Sequence, residues 1–196
     1  GFPFLERAEG LDKPLASTLI SSMVFVGIAM GLFYGWLCGA HPHLRYRLVV
    51  SVSLIVAGAW AVVLLWPTVA PLWLIATLVA ILGGAGPASM IAFDFSKAYT
   101  PIQRLGSANG IVNIGGFLAT LITMYLVGVS LDILHGWRVQ QLAAGGHAAS
   151  VGLYDLEAFR IAMWIQILVI LVGVVGLRRE HRILSRLHPA EPATQL

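Results

Sequence analysis

Five apolar stretches, near 15–39, 48–66, 71–93, 106–130 and 157–177, each reach the length of about 20 helical residues that a hydrocarbon core requires. Inside lipid no water is available to the peptide groups, so each stretch must satisfy its own backbone as a helix. That requirement predicts an all-α integral membrane protein with five transmembrane helices. The second and third stretches are joined by Trp66-Pro67-Thr68-Val69-Ala70-Pro71, which reads as a tight uncharged turn. Residues 1–14 read as an external loop, 15–182 as the membrane bundle and 183–196 as a tail.

The rest of the composition narrows the function classes. Charged residues make up 11% of the 196 residues, less than half the share of about a quarter in a soluble domain. A net charge of +3 is too small and too dispersed for a nucleic-acid reader, so no nucleic-acid partner is expected. A single cysteine, Cys38, excludes an internal disulfide framework and any multi-cysteine zinc site. No short apolar segment follows a basic N-terminus, so no signal peptide is read. The chain opens on Gly1 rather than Met and is expected to start partway through a longer protein.

Basic residues orient the spans. Arg45, Arg47, Lys97, Arg104, Arg178, Arg179, Arg182 and Arg186 fall on one side, against Arg7, Lys13, Arg138 and Arg160 on the other. The positive-inside bias therefore predicts cytoplasmic loops near 40–47 and 94–105 and a cytoplasmic C-terminus. Residues 1–14, the 67–70 turn and a long 131–156 loop are expected outside, in a multi-pass protein of the cell membrane. Trp66, Trp73, Trp137, Tyr154 and Trp164 sit near the outer boundary, where amphipathic rings are favoured.

The spans differ in character. The second and fifth are almost purely apolar and read as lipid-facing walls. The first carries Gly27, Gly31, Gly35 and Gly39, every fourth residue, along one inclined ridge. Bare backbone there permits another helix to approach closely, so the ridge reads as a packing surface. The third contains Gly83-Gly84-Ala85-Gly86-Pro87-Ala88-Ser89 near mid-membrane. Pro87 cannot donate to the carbonyl of Gly83, and a kink or swivel is expected, static or moving as a gate.

The fourth span places Asn109, Asn113, Gly116 and Thr120 at i, i+4, i+7 and i+11, one helical face. Asparagine amides are costly against lipid, so this face must meet water, another helix or a solute. For Asn109, nearer the inner end, interhelical hydrogen bonding and solute contact both stand. The deeper Asn113 is read toward a cavity.

Charge within the spans is nearly absent. Asp94, with Lys97 and Arg104 close in sequence, reads as a member of an inner-face ion-pair group rather than a coupling site. His41 and His43 lack a third ligand, so no metal site is expected. No His-Glu-x-x-His, Gly-x-Ser-x-Gly or Walker pattern occurs. The reading is therefore of a non-enzyme with no catalytic residues and no cofactor.

From Gly1 to about Arg182 the pattern resembles the C-terminal half of a major facilitator superfamily transporter. Gly1-Phe2-Pro3-Phe4-Leu5 is similar to the external loop after the seventh helix, which makes the five spans helices eight to twelve. Gly35-Trp36-Leu37-Cys38-Gly39-Ala40-His41-Pro42-His43-Leu44-Arg45 sits where the superfamily repeats its glycine–aspartate–basic loop. Gly39 stands at the usual acid and Pro42 at the usual glycine, which puts a charge-relay lock through that acid in doubt. The segment from Arg104-Leu105-Gly106-Ser107-Ala108-Asn109-Gly110 to Gly128-Val129-Ser130-Leu131-Asp132 resembles the eleventh helix.

The resemblance implies part of a six-helix bundle in which spans two and five are peripheral. Spans one, three and four would border a central path, and spans one and four would pack against the missing N-terminal half, which would supply the partners of the glycine ridge and the asparagine face. It further implies a secondary transporter moving a small-molecule solute by alternating access, with any coupling ion held mainly by the missing helices. Candidate path residues are Asn113, Thr120, Ser89 and Asn109. Gly83, Pro87, Gly27, Gly31, Gly35 and Gly39 would serve gating and packing, and Asp94, Lys97 and Arg104 the inner face. The alternative is a complete membrane scaffold whose glycine faces mediate helix association in the bilayer.

Overall fold

A computed structural model describes Leu5 and residues 11–144 and 156–187 of the chain. The described residues form six α-helices and no strands: α1 Lys13–Ala40, α2 Arg45–Leu64, α3 Leu72–Ala88, α4 Ile91–Tyr99, α5 Leu105–Ala144 and α6 Leu156–Leu187. Short 3₁₀ turns at Pro42–Leu44 and Ile102–Arg104 join α1 to α2 and α4 to α5. With α3 and α4 taken as one span, five segments are long and apolar enough to cross a membrane.

Several boundaries differ from the expected ones. Pro14 occupies the first turn of α1, where a missing N–H costs no intrahelical bond, so that helix starts ahead of residue 15. Residues 1–10, apart from Leu5, lie outside the described part, as do 145–155 and 188–196. Arg45, Tyr46 and Arg47, expected in a loop, form the first turn of α2. Residues 131–144, also expected in a loop, continue α5. At 1.5 Å per residue, its 40 residues span about 60 Å, twice a hydrocarbon core. Composition marks where apolar sequence stops, and a helix can continue past that point through polar residues such as Asp132, Gln140 and Gln141. The tail expectation shifts for the same reason, because α6 carries on to Leu187.

Helix α3 packs against both α1 and α2; α2 packs on α6, α6 on α5, and α5 returns to α4. The principal core lies toward the end carrying the 65–71 turn. It joins Val56, Trp60 and Val63 of α2, Ile75 and Leu78 of α3, and Ala162 of α6. Two contacts fasten that end. Trp66 and Trp73 meet edge to face with centroids 6.2 Å apart, and the Arg160 guanidinium donates to the carbonyl of Thr68.

The apolar second span is therefore not simply a wall facing lipid. A third of its most apolar window is buried against α3 and α6, whereas 6% of the corresponding windows of α1 and α5 is buried. Valine and leucine serve a protein neighbour and a lipid neighbour equally well, so composition cannot separate the two.

A candidate solute cavity at a helix break

Pro87 shapes the third span. Its ring nitrogen has no hydrogen to give the Gly83 carbonyl, and α3 stops one residue later, at Ala88. Ser89 and Met90 form a two-residue break held by i→i−3 bonds, from Ser89 N to Gly86 O and Met90 N to Pro87 O, both 3.1 Å. The Ser89 hydroxyl also donates to Gly86 O at 2.7 Å. Helix α4 then resumes; Ser89 and Met90 keep helical dihedrals, so the expected kink is a local break in the α-helical hydrogen-bond ladder, tightened to 3₁₀ type. The segment expected as a 94–105 loop is helical through Tyr99.

The first span's glycine ridge meets this region. A Cβ on Gly27 would lie 3.3 Å from the Gly83 carbonyl oxygen, the acceptor that Pro87 leaves without its helical donor. A Cβ on Gly31 would lie 3.6 Å from the Pro87 ring, and a Cβ on Gly83 would lie 2.9 Å from Met23 O. Two ridges of four-residue spacing, Gly27/Gly31 and Gly83/Pro87, thus run side by side. The expectation that the glycine ridge finds its partner outside this chain fails for half of it, which packs on α3. A Cβ on Gly35 or Gly39 would meet nothing within 4 Å, so that half of the ridge is open.

Beside the break lies a cavity of about 550 Å³. Ser89 enters it from the break, Asn113, Gly116 and Thr120 from α5, with Phe93 and Phe117 among the apolar lining. Three of the four path candidates therefore converge, from segments that are more than 20 residues apart in sequence. The Thr120 hydroxyl donates to Gly116 O at 2.9 Å, which satisfies its proton within α5 and leaves oxygen lone pairs to the cavity.

Asn109 sits apart from this lining. Its Oδ1 accepts the Ser96 hydroxyl of α4, an interhelical hydrogen bond that ties α4 to α5. The inner-face charges also divide. Asp94 and Lys97 pair at 3.6 Å along α4, while Arg104 is exposed on the following 3₁₀ turn. His41 and His43 meet edge to face at 5.8 Å, and no group of three metal-ligating side chains occurs among the described residues.

Sequence reasoning missed Ser96 and the apolar lining. Ser96 lies two helical turns beyond Ser89, a spacing that could have marked it. Val49 of α2 and Leu177 of α6 also line the cavity, although both spans read as plain walls. Nothing in an isolated valine or leucine distinguishes that role from lipid contact. The cavity has polar groups from two segments but no charged side chain in its lining.

Comparison with known proteins returned no match to a family model, a curated protein or a solved structure.

Proposed function

We propose that this chain is the C-terminal portion of a secondary transporter, working by alternating access in the cell membrane with its C-terminus cytoplasmic. The observation that carries this reading is the convergence of Ser89, Asn113 and Thr120 on one cavity beside the Pro87 break. Hydrogen-bonding groups exposed at membrane depth are costly unless they serve a partner, a water-filled space or a solute. A broken helix beside such a space supplies both unsatisfied polar groups and a place to bend.

The distribution of packing supports the same reading. The core closes the end with the 65–71 turn, and the cavity lies away from it, with Val49 one turn into α2 on its lining. In the orientation read from the basic residues, the packed end is the outer one, which suits access to the cavity from inside. The open glycines of α1 and the exposed length of α5 suit the missing N-terminal half of the transporter as their partner. The coding sequence upstream of Gly1 is then expected to supply about seven further spans.

Reconstitution of the full-length protein in liposomes tests the function. Counterflow of an identified small solute should fall when Asn113→Ala is introduced into a protein that still inserts and folds. Equal transport by wild type and variant would remove Asn113 from the path.

A further inference from the structure

A second pocket, of about 210 Å³, adjoins the solute cavity and shares Val49, Ala88 and Ser89 with it. Three helices wall it: Val49, Ser53 and Val56 come from α2, Ala85 and Ala88 from α3, and Ile170 from α6. The α2 residues recur at i, i+4 and i+7, one face of a helix that packs on both of the others. These six residues are all buried or half-buried, while Ser89 is exposed at the border between the two spaces.

Two hydroxyls stand in these apolar walls, and they differ. Ser89 donates to Gly86 O and keeps its oxygen lone pairs as acceptors. Thr77, Thr120 and Thr123 likewise donate to carbonyls of their own helices. The Ser53 hydroxyl has no hydrogen-bond partner among the described residues, so it is free to donate and to accept. A hydroxyl in apolar surroundings costs stability unless something bonds it. One water would satisfy it but occupy only about 30 Å³. The remaining space matches an apolar group, and an engineered cavity of about 150 Å³ that takes benzene sets the scale. A lipid acyl chain would suit the walls and leave Ser53 without a partner. Neither lining carries a charged side chain among the described residues.

We propose that this pocket is a subsite of the solute cavity, holding an uncharged apolar group of about one ring whose attached hydroxyl or similar group bonds Ser53 and Ser89. The inference rests on the transporter reading and adds a substrate class to it: neutral molecules with an apolar end here and a polar remainder toward Asn113 and Thr120.

Fluorine NMR of para-fluorobenzyl alcohol with the full-length protein in lipid nanodiscs tests it, with fluorobenzene and para-fluorobenzoate as probes sharing the ring. The alcohol should bind saturably and more tightly than either, because fluorobenzene brings no hydroxyl and the benzoate brings a charge. Ser53→Ala should weaken the alcohol about fivefold, the worth of one hydrogen bond, and leave fluorobenzene unchanged. Ala85→Leu, which fills the pocket, should abolish saturable binding of both. Ser53→Ala adds no bulk and carries the test alone if the leucine variant does not fold. Undiminished binding of the alcohol by a folded variant would overturn the proposal. Equal binding of the alcohol and fluorobenzene would overturn it too, assigning the pocket to lipid chains. Maleimide labelling of Thr120→Cys, in protein otherwise free of cysteine, reports on the path separately. Labelling without saturable binding of the alcohol overturns the subsite alone, whereas no labelling from either side overturns the transporter reading and the subsite with it.

Discussion

Replacing Gly83 by alanine inserts one methyl group where two backbones already touch. The new carbon would lie 2.9 Å from Met23 O, 3.1 Å from Met23 Cα and 3.3 Å from Val26 Cβ. Two of those neighbours are backbone atoms of α1, so no rotamer change relieves the contact; the helices must separate. Overpacking of this kind costs about 1–3 kcal/mol. Alanine returns up to about 1 kcal/mol over glycine within a helix, which offsets part of the loss. Gly58→Ala, within α2, provides the control, because its added carbon meets nothing within 4 Å and retains only the helix-forming gain. Unfolding of the two variants in detergent, followed by tryptophan fluorescence, should therefore separate them by about 1–3 kcal/mol, with Gly83→Ala the weaker. Equal midpoints would refute the close α1–α3 seam.

The remaining expectations concern the break, the α4–α5 tie and the surface charges. Pro87→Ala restores a donor for the Gly83 carbonyl and should extend α3 across Ser89 and Met90, slowing amide hydrogen exchange there; unchanged exchange would mean that proline does not cause the break. Ser96→Ala and Asn109→Ala should each cost about 1 kcal/mol and be non-additive in a double-mutant cycle, whereas full additivity would show that their hydrogen bond contributes nothing. Asp94→Asn should change stability by less than about 1 kcal/mol, since Lys97 is 59% exposed and the pair is screened by water. A larger loss would require a buried partner for Asp94.

The legibility of this chain divides by physical cause. Five membrane-crossing segments follow from apolar length alone, and the proline break follows from one missing N–H at residue 87. Polar residues inside a span are few enough for each to be informative, which is why Ser89, Asn113 and Thr120 stand out from the sequence alone. The partner of the Gly27–Gly31 ridge was not legible, because a small-residue pattern states that something comes close without stating what. The burial of α2 and the contributions of Val49 and Leu177 were hidden for a related reason: apolar side chains look alike against lipid, protein or a cavity. Helix ends outside the hydrocarbon are not marked by composition where polar residues carry the helix on, as α5 does to Ala144.

The proposed path is tested most directly at Thr120, fifteen residues into α5 and thus about 22 Å along the helix from its start. Cys38, and any cysteine encoded upstream of it, is replaced by alanine, after which Thr120→Cys is introduced into the full-length protein in membranes. On the transporter reading, a membrane-impermeant maleimide should label this cysteine from the cytoplasmic side through the cavity that Thr120 lines. Absence of labelling from both sides, in protein shown to be folded, would place Thr120 in a dry helix interface and favour a scaffold over a transporter.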